Sequence, residues 1–212
     1  MKGAPLRIML VDDHAIVRAG FRRLLEQQPA FQIVAEAGDA DRAYALFIEH
    51  QPDVLVMDVS MPGVSGLDTI RRIIARQPAA RILVFSMHED ASLAERAIQL
   101  GARGYVTKSN PPEVLAAAVC EVAAGKLALS PDIAKSIAIL KLSGQENLLN
   151  LLSAREFEIF RLLACGHPVA EIAKRLNLSG KTVANYHTLI KQKLHLSSDI
   201  ELVLMAQRQD IV

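Results

Sequence analysis

The sequence predicts two folded units: an α/β unit built on a doubly wound, five-stranded parallel sheet, followed by a small all-α unit. Three observations lead there. Short unbroken apolar runs, such as Val54-Leu55-Val56-Met57, stop abruptly at a polar residue and read as strands buried on both faces. These runs alternate with stretches of helical periodicity, the pattern of a parallel sheet covered by helices on both sides. From Leu148 onward the strand signals vanish and only helical spacing remains.

Taken in order, Ile8-Met9-Leu10-Val11 is a strand ending at Asp12-Asp13. Residues 14 to 28 carry Ile16, Val17, Phe21, Leu24 and Leu25 at helical spacing, with Pro29 just beyond. Phe31 to Ala37 is a strand and Ala40 to His50 a helix. The strand ending at Asp58 follows, then the turn residues Met61-Pro62-Gly63 and a helix over 67 to 76. Arg81 to Ser86 is the fourth strand, Ala91 to Leu100 a helix closed by Gly101, and Gly104 to Thr107 a fifth strand ending at Lys108. Pro112 to Ala124 is an Ala/Val-rich helix ended by Gly125. The flavodoxin-like order 2-1-3-4-5 is expected, which sets the first and third strands on either side of the switch point.

Residues 1–125 are therefore expected to form the α/β domain and 126–147 a linker, with a turn-like stretch over 126–132, a short helix over 133–142 and a flexible run over 143–147. Residues 148–212 form the all-α domain. There Ser153 and Glu156 make a capping box, Pro168 opens a second helix, residues 181–194 form a longer third one, and Ser198 caps the last. A short helix, a tight turn and a longer helix make a helix-turn-helix signature.

Composition narrows the function classes. Hydrophobic content of 51% with 4% aromatics and no Trp describes ordinary aliphatic cores, and a net charge of +1 rules out a polycation. Cys120 and Cys165 lie far apart without metal or redox spacing, which fits a reduced cytoplasmic compartment. No apolar run is long enough for a signal peptide or a membrane span.

The chemistry concentrates at one edge of the sheet. Asp58 alone reads equally well as a turn or capping aspartate. The expected strand order brings Asp12 and Asp13 to face it across one crevice, and places Ser86 and Lys108 at neighbouring strand ends. Three carboxylates crowded together repel, and they remain ionised if a cation binds. With no His or Cys assigned to it, the crevice reads as an oxygen-only site suited to Mg²⁺. A carboxylate can act as a nucleophile and form an acyl phosphate, while Lys108 supplies a point charge and Ser86 a hydroxyl to the phosphoryl oxygens.

These residues resemble the receiver domain of bacterial two-component response regulators. The resemblance rests on Val11-Asp12-Asp13-His14, on 53–63 around Asp58, on Ser86, and on 101–108 ending in Thr107-Lys108. It implies that Asp58 accepts a phosphoryl group from a sensor histidine kinase. It further implies that Asp12, Asp13, Asp58 and the Ser60 backbone carbonyl hold Mg²⁺, that Lys108 contacts the phosphate, and that Ser86 and Tyr105 are a switch pair, Tyr105 filling the space that Ser86 vacates. The face formed by the fourth helix, fifth strand and fifth helix would change.

In the all-α unit no acidic residue lies between Glu171 and Asp199, whereas Lys174, Arg175, Lys181, Lys191 and Lys193 do. That is the electrostatic footprint of nucleic-acid binding on a near-neutral protein, with a solvated helix face as its rival. Lys181, Thr182, Asn185 and His187 fall near the start of the long helix, the part that enters the major groove, and Lys191 and Lys193 suit phosphates. The segments 152–156, 171–176 and 178–186 resemble the LuxR-type helix-turn-helix, Ala184 standing where a polar or basic residue is common. A receiver followed by this module is the arrangement of the NarL/FixJ family. The resemblance implies a phosphorylation-activated regulator that binds double-stranded promoter DNA as a homodimer. It would be no enzyme beyond its own phosphotransfer and slow autodephosphorylation. An aspartate-nucleophile phosphatase is disfavoured because Ser60 stands where its acid/base Asp is needed. A regulator switched by a ligand or partner is disfavoured by the complete acidic-hydroxyl-lysine set.

Overall fold

In a computed structural model of the chain, residues 4–61, 66–142, 148–208 and 211 are described. The first unit consists of β1 (Leu6–Val11), α1 (Ala15–Leu25), β2 (Phe31–Ala37), α2 (Ala40–His50), β3 (Val54–Met57), α3 (Gly66–Arg76), β4 (Ile82–Ser86), α4 (Ala91–Gln99), β5 (Gly104–Thr107) and α5 (Pro112–Ala123). A two-residue strand, β6 (Ala128–Leu129), and α6 (Pro131–Leu142) follow. A short 3-10 turn (Leu148–Leu151) then leads to α7 (Ala154–Ala164), α8 (Val169–Arg175), α9 (Gly180–Lys193) and α10 (Asp199–Arg208).

The sheet is parallel, in the order β2-β1-β3-β4-β5-β6. The expected 2-1-3-4-5 order is present, with one addition. The stretch read as a turn over 126–132 pairs Ala128 with Gly104 and Leu129 with Tyr105, extending the sheet to six strands. Two residues are too few to show a period-2 pattern, so sequence alone marks such a strand poorly. The expected flexible run over 143–147, and Pro62-Gly63 of the expected turn, lie outside the described residues. The helix expected over 14–28 stops at Leu25, where Gln28 N–H donates to Leu25 O and Phe31 N–H to Gln28 O, turning the chain into β2.

The alternation of strand side chains sorts the core into two layers. Ile8, Leu10, Val54, Val56, Leu83, Phe85 and Val106 point to one face and pack under α1 and α5. Met9, Val11, Leu55, Met57, Ile82, Val84 and Tyr105 point to the other, under α2, α3 and α4. Burying each such aliphatic side chain contributes about 1.5–3 kcal/mol. The second layer does not end at the sheet unit. It runs on through Phe157, Phe160, Ile172, Val183 and Ile190 of the helical unit. The two units thus share one continuous apolar cluster, with α7 lying against α3.

α3 also fixes the loop after Asp58. A methyl group on Gly66 would lie 2.4 Å from Val59 Cα and 2.8 Å from its carbonyl oxygen. Backbone cannot yield as a flexible side chain can, so Gly66→Ala is expected to cost about 2 kcal/mol. Denaturant unfolding measures the loss, and an unchanged midpoint would show that the α3–Val59 contact is not a constraint.

Candidate functional site

Each residue of the acidic cluster is placed by a strand end. Asp12 N–H donates to Ala37 O of β2, and Asp58 N–H donates to Val11 O of β1 at 2.9 Å, which brings the two carboxylates to one edge. Both residues are buried. Lys108, just past β5, reaches back over the crevice. Its Nζ lies 2.6 Å from Asp12 Oδ2 and 2.5 Å from Asp58 Oδ2. Burial works against the ammonium charge, but the Asp58 and Asp12 carboxylates outweigh it and hold the Lys108 pKa above its ordinary value. The other Asp58 oxygen, Oδ1, accepts from Ser60 N–H at 2.8 Å. Asp12 Oδ1 accepts from His14 N–H at 2.8 Å.

The structure adds two things here. Lys108 stands between two of the three crowded carboxylates, Asp12 and Asp58, and offsets one of their charges. The site is also not oxygen-only: His14 Nδ1 lies 3.0 Å from Asp13 Oδ1 and 3.5 Å from Asp12 Oδ1. Ligand atoms of Asp12, Asp13 and His14 all fall within 4.8 Å of one another. The adjacency of His14 to Asp13 in the chain carried that signal.

Ser86, at the end of β4, is fully buried, and its Oγ lies 3.1 Å from Ser60 Oγ and accepts from His88 N–H at 3.3 Å. Tyr105 is fully buried as well, and its hydroxyl donates to the His88 carbonyl at 2.9 Å. The Tyr105 ring lies inside the core. What Tyr105 holds is the backbone of the β4–α4 loop.

Sequence reasoning missed what the helical unit brings to this edge. Arg161 of α7 sets its guanidinium 3.0 Å from His88 Nε2. Burial and then Arg161 pull the His88 pKa down to about 4. Arg96 of α4 donates to the Leu152 carbonyl, just before α7. A cleft of about 360 Å³ separates Asp13, His14 and Ser60 from Glu158, Arg161 and Arg175. Burial pushes the Glu158 carboxyl up to about 7, against the pull of Arg155, whose Nη1 lies 3.1 Å away. Arg155, Glu158 and Arg161 sit in an ordinary amphipathic helix, and nothing in its spacing shows which face meets a second unit.

The six residues expected at DNA divide into two groups. Lys181 and Asn185 are exposed on the first turns of α9, and Thr182 is half-buried with its N–H on the capping Ser179 Oγ at 3.0 Å. The other three pair with carboxylates of the same unit. His187 Nε2 lies 2.8 Å and Lys191 Nζ 2.9 Å from Asp199 Oδ1, at the start of α10. Lys193 Nζ lies 2.7 Å from Glu156 Oε2. Glu156 is buried and closes the expected capping box with Ser153. Burial favours its neutral form, yet Lys193 and the Ser153 N–H hold its pKa below the usual carboxylate range. Lys193 thus braces α9 against α7.

Comparison with known proteins agrees with this layout. Residues 8–120 match the family described as "Response regulator receiver domain", and residues 150–206 match "Bacterial regulatory proteins, luxR family". The chain is 36% identical to the response regulator GacA of Pseudomonas aeruginosa, covering 98% of both chains. It is 40% identical to the transcriptional activator protein ExaE of Pseudomonas putida, covering 94% of both. Among solved structures it resembles the response regulator RcsB of Salmonella typhimurium, with a TM-score of 0.73 at 28% identity over 98% of this chain and 99% of that one. RcsB bound to a promoter in the presence of the phosphomimetic BeF₃⁻ gives a TM-score of 0.70 at 29% identity over 96% and 98%.

The buried Glu158 makes a pH test possible. Its carboxyl titrates at about 7 in the fold, against an ordinary value of 4.5. The protonated form is thus favoured in the fold, and the cost of ionising it accumulates as pH rises from 4.5 to 7. Relative to the parent, Glu158→Gln should gain stability between pH 5 and pH 8, by at most about 3 kcal/mol. A difference between the two proteins that stays flat over this range would contradict the burial of Glu158.

Proposed function

The chain belongs to the NarL/FixJ family of two-component response regulators, a receiver domain joined to a LuxR-type helix-turn-helix that regulates transcription, and on that premise we propose that Asp58 is its phosphoacceptor. The observation that carries the proposal is the Lys108 bridge between Asp12 and Asp58. It places a cation against Asp58, a buried carboxylate at a strand end whose other oxygen accepts from Ser60 N–H; Asp12 shares those features, but only Asp58 is joined through Ser60 to the Ser86 hydroxyl. The donor is a phosphohistidine on a sensor kinase. Asp58 attacks the phosphorus, the P–N bond breaks, and the imidazole leaves with the bonding pair. Lys108 meets the negative charge gathering on the phosphoryl oxygens, and the Ser86 hydroxyl donates to one of them.

Mg²⁺ fits this donor set. Carboxylates converge from two strand ends, and Asp12 and Asp13 bring ligand atoms within 4.8 Å of one another, which supports an oxygen-rich cation site. Asp12, Asp13, Asp58 and the Ser60 carbonyl would hold the ion, which would supply charge neutralisation to the transferring oxygens. His14 serves as a hydrogen-bond partner of Asp13, since Mg²⁺ prefers oxygen.

A phosphoryl group adds about −1.5 to −2 charges and new acceptors. It draws Ser86 Oγ away from His88 N–H. Tyr105 transmits the shift, because its hydroxyl is bonded to the His88 carbonyl, and the His88 ring is where Arg161 of the DNA-binding unit rests. A full reversal from 1:99 to 99:1 requires about 5.5 kcal/mol between the two states. We place the domains at 1–125 and 148–212, with 126–147 connecting them. Lys181, Thr182 and Asn185 read the major groove. Lys191 and Lys193 reach phosphates only by giving up Asp199 and Glu156, and His187 acts through Asp199 to set the pitch of α9 on α10. The protein works in the cytoplasm and binds promoter DNA as a homodimer. Among the described residues no helix is long and apolar enough to cross a membrane.

Full-length protein treated with a small acyl phosphate and Mg²⁺ should acquire one acid-stable, hydroxylamine-labile phosphoryl group, and Asp58→Asn should acquire none while keeping the parent's circular dichroism. Equal labelling of parent and variant would place the acceptor elsewhere.

A further inference from the structure

The segment after the receiver match holds a carboxylate aimed back at the phosphoryl site. Asp132 lies in the first turn of α6, beyond residues 8–120. Its Oδ2 accepts from Thr107 Oγ1 at 2.9 Å and its Oδ1 accepts from Asn110 Nδ2 at 3.1 Å. Thr107 and Asn110 are the two ends of a tight turn, closed by Asn110 N–H on Thr107 O at 3.2 Å. Lys108 is the second residue of that turn. One carboxylate therefore staples both ends of the four-residue turn that carries the Lys108 side chain.

We propose that Asp132 is a positioning residue for Lys108, so that the connecting helix is a working part of the phosphoryl site. The inference rests on the reading of Asp58 and Lys108 given above. Geometry separates it from a simpler role. A carboxylate in the first turn of a helix favours the helix through its charge alone, with no need to bond elsewhere. Here each oxygen also accepts from β5 or the turn after it, in addition to the local contacts with Ser130 and its own backbone. Asp132 is also fixed from behind, because β6 pairs with β5 and Ser130 N–H donates to Tyr105 O at 3.0 Å. Side chains alternate along β5, so Thr107 and Tyr105 point to the α4–α6 side while Lys108 points to the carboxylates.

The turn meets the other half of the switch at two more places. Lys108 N–H donates to Ser86 O at 2.8 Å, and Ser109 Oγ donates to Glu89 Oε1 at 2.9 Å. Asp132 thus steadies the junction of the β4–α4 loop, the β5–α5 loop and the helix leading to the DNA-binding unit. Burial opposes its charge, but hydrogen bonds from Ser130, Asn110 and Thr107 hold the Asp132 pKa below its ordinary value. The ammonium must sit within hydrogen-bond reach of the transferring oxygens, and small displacements of such a group slow chemistry more than binding.

The test uses the full chain with acetyl phosphate and Mg²⁺. Asp132→Ala should lower the phosphorylation rate at saturating donor about five- to tenfold. The donor KM should stay within about twofold of the parent. Asp132→Asn keeps a polar partner for both Thr107 and Asn110 and should recover most of the rate. Lys108→Ala alone should slow the reaction, and adding Asp132→Ala to it should slow it no further. An Asp132→Ala rate equal to the parent's, with or without a loss of thermal stability, would overturn the inference. So would a loss that adds in full to that of Lys108→Ala. If Lys108→Ala itself leaves the rate unchanged, the reading of Lys108 fails first and the inference with it.

Discussion

One ammonium group sets the terms for this molecule. Lys108 Nζ spans Asp12 and Asp58 at 2.6 and 2.5 Å, joining the ends of β1, β3 and β5 across the edge of the sheet. Two buried carboxylates side by side repel, and the ammonium offsets that repulsion. Taking charges out of water is expensive, and a bridged arrangement is tolerable because every carboxylate oxygen in it has a donor: Asp58 Oδ1 has Ser60 N–H and Asp12 Oδ1 has His14 N–H. The same arrangement is poised for change. On the proposed reading, a phosphoryl group on Asp58 would replace one acceptor with several, and Lys108 and Ser86, which would answer it, are each bonded to a loop.

Those loops connect the edge to the rest of the chain by packing as well as by polar contacts. The apolar layer under α2, α3 and α4 continues without a break into α7 and α9. Arg161 rests on His88, and Arg96 holds the Leu152 carbonyl. Docked in this way, the DNA-binding unit covers the mouth of the acidic site while leaving Lys181 and Asn185 of α9 exposed. The arrangement restrains how the reading helix is presented; it does not bury the first turns of that helix. A shift of the His88 backbone would reach Arg161 through the His88 ring.

Much of this was legible in the sequence, for physical reasons that differ by element. Strands buried on both faces announce themselves as unbroken apolar runs, and their polar ends fell on Asp12, Asp58, Ser86 and Lys108 because buried backbone leaves room for such groups only at the edge. The capping box at Ser153 and Glu156 was readable because it is local. What escaped was short or non-local. β6 has two residues and no period. His14 stands beside Asp13 in the chain, but its approach to the carboxylates depends on a loop conformation. The pairing of Lys193 with Glu156, 37 residues away, is likewise non-local. The bond from the Tyr105 hydroxyl to the His88 carbonyl joins residues 17 apart through the buried end of the ring. Arg161 and Glu158 belong to an interface between units, and amphipathic spacing shows an apolar face without showing what meets it.

The central claim is that phosphorylation at the sheet edge changes what the helical unit does to DNA. Binding of the full chain to fragments selected from genomic DNA, measured at fixed salt before and after acyl-phosphate treatment, tests it most directly. The account predicts a gain of at least about tenfold in affinity for the selected fragments, some 1.4 kcal/mol, that decays as the phosphoryl group is lost. The same affinity before and after treatment, with the protein demonstrably phosphorylated, would contradict it.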